Sequence, residues 1–163
     1  MLRAFAAAGQ GHGACRMEAF VQCLDLSVRR VLSELGPGLT ECIYRNALAI
    51  ELRKRVYVVS MEVPVPILFD GEVVGAMRAD IVVSEVCAQT GARVSRVIEL
   101  KRTAKITAAH SLQARAYLKR SPENSTAHLV NFGSEDVEIQ TVCDGNVESH
   151  KRALEETPSC KEL

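Results

Sequence analysis

The sequence predicts an α+β fold in which helices flank a mixed β-sheet, and three observations carry that prediction. Two β-branched, apolar runs, Ala79-Asp80-Ile81-Val82-Val83 and Val94-Ser95-Arg96-Val97-Ile98-Glu99-Leu100, read as the strands of a hairpin looped over Ala88-Gln89-Thr90-Gly91. Other segments repeat their apolar residues at helical spacing, and these alternate along the chain with the strands. At 163 residues with 47% hydrophobic content, the chain has enough apolar side chains to fill the core of one domain.

The elements follow in order. Residues 1–16 are Ala-rich with no acid before Glu18, and read as a leader, disordered or weakly targeting. Phe20, Leu24, Val28, Val31 and Leu35 make the core stripe of a first helix that stops at Gly36-Pro37-Gly38. A second helix over 39–55 is expected to bury Ile43, Ala47 and Ile50, with Glu41, Tyr44 and Leu48 on a neighbouring face. Strands over 56–69 and 72–76 flank Asp70-Gly71, a two-residue hairpin signal. Pro64 and Pro66 donate no ladder hydrogen bonds and make the first of these an edge strand. The chain continues through 77–83 into the Asp80/Glu99 hairpin. A third helix over 107–120 ends before Ser121-Pro122 and leads by crossover to a strand over 127–132, parallel to 97–101. Residues 137–142 alternate as a further edge strand, and 144–163 read as a polar, flexible tail, leaving a domain over 17–143.

Chemistry concentrates on the hairpin. Asp80 and Glu99 are equally distant from the Gln89/Thr90 midpoint, so an unbulged ladder sets them opposite each other, with Cβ atoms about 4.5–5.5 Å apart. Two facing carboxylates repel, and a divalent cation between them removes the repulsion. Lys101 shares the strand face of Glu99 through the period of two. The alternative is a half-exposed Glu99–Lys101 pair contributing about 0–1 kcal/mol. Glu41, in the first turn of its helix, has two possible roles: complementing the helix dipole, or reaching the metal position from outside the sheet. Gln113 and Tyr117 form an i, i+4 pair on the third helix, one turn after His110.

Asp80 and Glu99-Leu100-Lys101 resemble the D…E-x-K core of the PD-(D/E)XK nuclease superfamily. Within it the chain is similar to the GxxExxY group through Gly38-Leu39-Thr40-Glu41-Cys42-Ile43-Tyr44, and the likeness continues through Glu62-Val63-Pro64-Val65-Pro66, Arg78-Ala79-Asp80, the helix with His110, Gln113 and Tyr117, and Asn131-Phe132-Gly133. The Pro of the superfamily's PD is Ala79 here. The resemblance implies a restriction-endonuclease-like αβββαβ core with an extra N-terminal helix and a C-terminal edge strand. It also implies an Mg²⁺- or Mn²⁺-dependent nuclease or nuclease-like phosphodiesterase acting on DNA or RNA. Asp80, Glu99 and Glu41 would hold the metal, and Lys101 and Gln113 would join them in catalysis. Arg102, Lys105 and Tyr117 would bind substrate.

Twenty basic residues balance twenty acidic ones, so net charge does not draw the chain to nucleic acid. Between Lys101 and Pro122, however, Lys101, Arg102, Lys105, Arg115, Lys119 and Arg120 are joined by no Asp or Glu, which makes either a phosphate-facing surface or a solvated basic face. Aromatics are only 4% of residues and supply no stacking platform for single strands. Six scattered cysteines lack metal-site spacing and read as reduced thiols. No apolar run spans a bilayer, and the reduced thiols point to a reducing compartment, so an intracellular, cytoplasmic location is expected, with a mitochondrial or other organellar one through the leader as the alternative. A dimer is among the assemblies the sequence allows. Two further readings compete: a catalytically silent nucleic-acid-binding or protein-interaction module on the same fold, and a hydrolase of another phosphoester.

Overall fold

The computed structural model describes residues 9–55, 57–86, 91–121, 124–133, 137–143 and 146–152. In chain order these form α1 (Gly9–Leu35), α2 (Glu41–Lys54), β1 (Val58–Phe69), β2 (Glu72–Val86), β3 (Arg93–Lys101), α3 (Ala108–Arg120), β4 (Asn124–Asn131), β5 (Val137–Cys143) and β6 (Asn146–Arg152). The strands make one sheet in the order β1-β2-β3-β4-β5-β6. Every neighbouring pair is antiparallel except β3/β4, which is parallel and joined through α3. This is the mixed, helix-flanked sheet that the sequence predicts. Among the described residues no helix is long and apolar enough to cross a membrane, and Cys23, Cys42 and Cys143 are free thiols.

Each face of the sheet has its own core. On one, Phe20, Leu24 and Val28 of α1 and Tyr44, Leu48 and Leu52 of α2 pack against Ile81, Ile98, Leu100, Val130 and Phe132. On the other, Ala114 and Tyr117 of α3 pack with Val65, Ala79, Val97, Leu129 and Val142. The Asp70-Gly71 turn has positive φ at both residues (50° and 84°), the type I′ geometry that suits the twist of a two-residue hairpin.

Four expectations need correction. The buried face of α2 is not the Ile43/Ala47/Ile50 stripe: Ile43 and Ile50 are 41% and 55% exposed, and Ala47 is only partly buried. Tyr44, Leu48, Ala49 and Leu52 are buried instead. Tyr44 decides this, because its ring stacks on Phe132 at 4.6 Å and its hydroxyl donates to Gly36 O (2.7 Å) and accepts from Leu39 N–H (3.1 Å). Leu35 is also 39% exposed, while Leu32 joins the α1 core. Finally, β5 is not an edge strand, since β6 pairs along it from Cys143↔Asn146 to Val137↔Arg152, within the stretch expected as a tail. An outermost strand gains backbone hydrogen bonds without an apolar pattern, which is why Asn146-Val147-Glu148-Ser149-His150-Lys151-Arg152 reads as tail. At the other end, α1 begins at Gly9, inside the expected leader; residues 1–8, 87–90 and 153–163 lie outside the described residues.

The loop after β3 is fastened by buried polar groups. Asn131 accepts from Thr103 N–H (3.0 Å) and Gly133 N–H (3.0 Å) and donates to Thr103 O (2.8 Å). Glu138 on β5 accepts from Ile106 N–H (3.2 Å). Gly133 lies so close to this loop that a Cβ would overlap the Thr103 backbone. Gly133→Ala is therefore expected to cost about 1–3 kcal/mol in urea unfolding. Gly75→Ala, with nothing within 4 Å, should stay within about 0.5 kcal/mol; equal effects of the two would show that the approach at Gly133 is not limiting.

Candidate active site

The β2/β3 ladder runs from Val86↔Arg93 to Ile81↔Ile98, the register implied by symmetric counting from the loop, and the next positions in that register are Asp80 and Glu99. There the ladder gives way to a side chain: Asp80 Oδ2 accepts from Leu100 N–H at 2.9 Å. Glu99 shares the α3-facing side of β3 with Val97 and is only 4% exposed. Its Oε1 accepts from Gln113 Nε2 (2.6 Å) and Lys101 Nζ (2.9 Å). Its Oε2 is buried without a hydrogen-bond partner. Tyr117 adds support, donating its hydroxyl to Arg78 O (2.7 Å) and lying 3.4 Å from Gln113 Nε2. The structure thus brings Asp80, Glu99, Lys101, Gln113 and Tyr117 together.

Glu41 reaches the same place from α2, half-buried, with Asp80, Lys101, Arg45 and Arg102 all within electrostatic range. The corrected face of α2 explains this, since Glu41, Tyr44 and Leu48 lie along the helix side that turns inward. Arg102 and Lys105 are exposed on the fastened loop, and Arg115, Lys119 and Arg120 are exposed on α3. His110 stands apart, its Nδ1 accepting Thr107 N–H at the start of α3 (3.2 Å).

Two charged residues at the site escape the sequence reading. Arg45 Nη1 is 2.7 Å from Glu62 Oε1 and 3.5 Å from Asp80 Oδ1. Arg45 was within reach of inference, being one turn beyond Glu41. Glu62 was not. Counting from the Asp70-Gly71 turn sets Met61 opposite Asp80, but a bulge between Ile67 and Leu68 shifts the register by one, giving Met61↔Ile81 and Val63↔Ala79. Glu62 and Asp80 fall between those two pairs.

Asp80 and Glu99 are the carboxylates that could serve as donors to a divalent cation. Glu99 Oε2 is buried without a hydrogen-bond partner, and Asp80 Oδ1 lies 3.5 Å from Arg45 Nη1. Among the described residues no group of three or more His, Cys, Asp or Glu side chains is arranged to enclose a metal. Magnesium is commonly held by one or two carboxylates.

Burial pushes the Glu99 carboxyl above its ordinary 4.5, and the negative charge of Asp80 adds to this, together outweighing Lys101 and the backbone N–H of Asp80. Glu41 is raised as well, by burial first and then by Asp80. Burial and the Glu99 charge push the Tyr117 phenol up to about 12, so it remains a hydroxyl donor. A carboxyl with a raised value holds its proton more tightly in the folded protein than in the unfolded chain. The two groups therefore favour folding fully below the ordinary glutamate value of 4.5 and lose that contribution as pH rises through their raised values. In metal-free protein, Glu99→Gln should flatten this fall of melting temperature between acid and neutral pH; an unchanged slope would show that Glu99 is not its source.

Residues 20–142 match the PD-(D/E)XK nuclease superfamily. Among curated proteins none matches the chain. Among solved structures it is similar to the type IIG restriction endonuclease BpuSI, at 17% identity and a TM-score of 0.35. That similarity covers 76% of this chain and 11% of the other, so the chain spans about a tenth of that enzyme's length. With the match extending over most of its length, the chain belongs to the PD-(D/E)XK nuclease superfamily.

Proposed function

We propose that this protein is a metal-dependent nuclease of the GxxExxY group that cleaves DNA or RNA phosphodiesters with Mg²⁺ or Mn²⁺. We assign the activity to the domain over 17–143, which contains the superfamily match over 20–142. The observation that carries the reading is the buried, unpartnered Glu99 Oε2 beside Asp80. An uncompensated carboxylate oxygen in a protein interior is costly, and a cation there would offset the cost.

Asp80 and Glu99 hold the cation in this reading, with Glu41 available from α2. When bound, the cation would neutralise phosphate charge and lower the pKa of water. Leu100 N–H fixes the Asp80 rotamer, and Gln113 fixes that of Glu99. Lys101 has no acceptor atom and cannot be a metal ligand; its ammonium group, 2.9 Å from Glu99, steadies negative charge developing on the attacked phosphate. Arg102 and Lys105, exposed on a fixed loop, contact flanking phosphates. Tyr117 is buried and engaged with Arg78 O, so in this reading it positions Gln113 instead of touching substrate. The Gly38/Glu41/Tyr44 signature divides labour similarly. Gly38 takes φ +95°, Tyr44 closes the α1–α2 loop through Gly36 and Leu39, and Glu41 faces the carboxylate pair.

The direct test is incubation of purified protein with plasmid, single-stranded DNA and RNA in Mg²⁺, Mn²⁺ or EDTA. Cleavage that requires metal is expected, and Lys101→Ala should lower its rate by roughly a hundredfold or more with metal binding retained. Metal-dependent cleavage that survives Lys101→Ala moves the charge-stabilising role elsewhere. No cleavage under any condition favours the silent binding module. Millimolar Mn²⁺ should raise the melting temperature of the native chain but not of Asp80→Asn, because a ligand that binds only the folded site stabilises it; equal shifts would exclude Asp80 as a ligand.

A further inference from the structure

Arg45 is placed where a cation-binding site would least tolerate it. Its Nη1 lies 3.5 Å from Asp80 Oδ1, the oxygen left over after Oδ2 accepts Leu100 N–H. A fixed guanidinium beside that oxygen repels an incoming cation and competes for the same carboxylate. Yet the shorter contact of Arg45 is to Glu62, at 2.7 Å. Glu62 is held there by an unusual backbone, with φ +53° in the middle of β1. A non-glycine residue in that region costs on the order of 1 kcal/mol or more and persists only where its surroundings impose it. Arg45 Nε is buried and unpartnered, so the guanidinium is fixed by its Nη1 contacts to the two acids.

We propose that Arg45 and Glu62 are positioning residues that set the metal affinity of the site. Without metal, Arg45 neutralises the Asp80 end of the carboxylate cluster. With metal, Glu62 retains Arg45 and keeps it from closing on Asp80 Oδ1. Glu62 therefore acts through Arg45 and not as a ligand. The inference rests on the metal-binding reading of Asp80 and Glu99 and deepens it.

The test is calorimetric titration of MnCl₂ into native protein, Glu62→Gln, Arg45→Gln and the double variant, without nucleic acid. Arg45→Gln should bind Mn²⁺ about fivefold more tightly, and Glu62→Gln about fivefold more weakly. In the Arg45→Gln background, the Glu62→Gln effect should shrink to less than about twofold. A merely structural role does not predict this pattern, because damage to a fold loosens a site and does not tighten it. Should Arg45→Gln fail to fold, Glu62→Asp keeps the charge but withdraws it by one methylene, and should weaken binding less than Glu62→Gln. Equal losses from Glu62→Gln in both backgrounds, weaker binding by a folded Arg45→Gln, or equal affinities of the two Glu62 variants would overturn the inference. If native protein binds no Mn²⁺, the metal reading itself falls; if native protein binds and Glu62→Gln binds equally well, only this inference does.

Discussion

The constraint on which the rest depends is the burial of Glu99. A carboxylate only 4% exposed in the third strand of a six-stranded sheet is unfavourable unless charges and donors converge on it. Several elements are arranged to bring them. α3 docks through Ala114 and Tyr117, which delivers Gln113 to Oε1. The strand period places Lys101 on the same face. The β2/β3 register adds Asp80, whose negative charge makes the burial worse while its backbone N–H favours the carboxylate.

The second feature is a break in strand alternation at the same point. On β2, Ile81 and Val83 pack in the α1/α2 core, whereas Ala79, two residues earlier, packs in the α3 core. Strict period-two alternation would keep all three on one face. On β1, Val59 leans on the α1/α2 core and Val65 on the α3 core, with the positive φ of Glu62 between them. The hairpin thus hands its apolar side chains from one core to the other at Glu62 and Asp80. Backbone irregularity of this kind re-aims side chains, and here it coincides with the two carboxylates that share Arg45.

The sequence carried much of this and lacked the rest for identifiable reasons. Asp80 and Glu99 could be paired because no bulge interrupts the ladder between Ile81/Ile98 and Val86/Arg93. Glu62 could not, because one extra residue near Val74 changes which side chain of β1 meets Asp80. The α2 face was misread because apolar residues surround that helix, so spacing alone offers two stripes; Phe132, distant in sequence, selects the one with Tyr44. β6 was missed because an outer strand is held by backbone pairing, which leaves little trace in composition. In α1, Gly9, Gly11 and Gly13 are poor helix formers, which explains why the helix was expected to begin later.

The residues singled out by motif fall into two physical kinds. Asp80, Glu99, Lys101 and Glu41 bring charge to one point, and burial together with the Asp80 charge makes Glu99 and Glu41 unfavourable as carboxylates. Tyr44, Tyr117, Asn131 and Gly133 carry no charge at the site, and hold the backbones that deliver it: the α1–α2 loop, the β2 strand before Asp80, and the loop after Lys101. Proximity in sequence to a charged motif residue is therefore a poor guide to role. Tyr117 is in the same short helix as Gln113, yet its hydroxyl is committed to a main-chain carbonyl of β2. Neutralising Glu99 or Glu41 removes like-charge repulsion, so the fold should survive it, whereas neutralising Lys101 removes the counter-charge of Glu99. Removing a member of the second kind leaves a buried polar group or a cavity behind, and any loss of activity follows from displaced backbone.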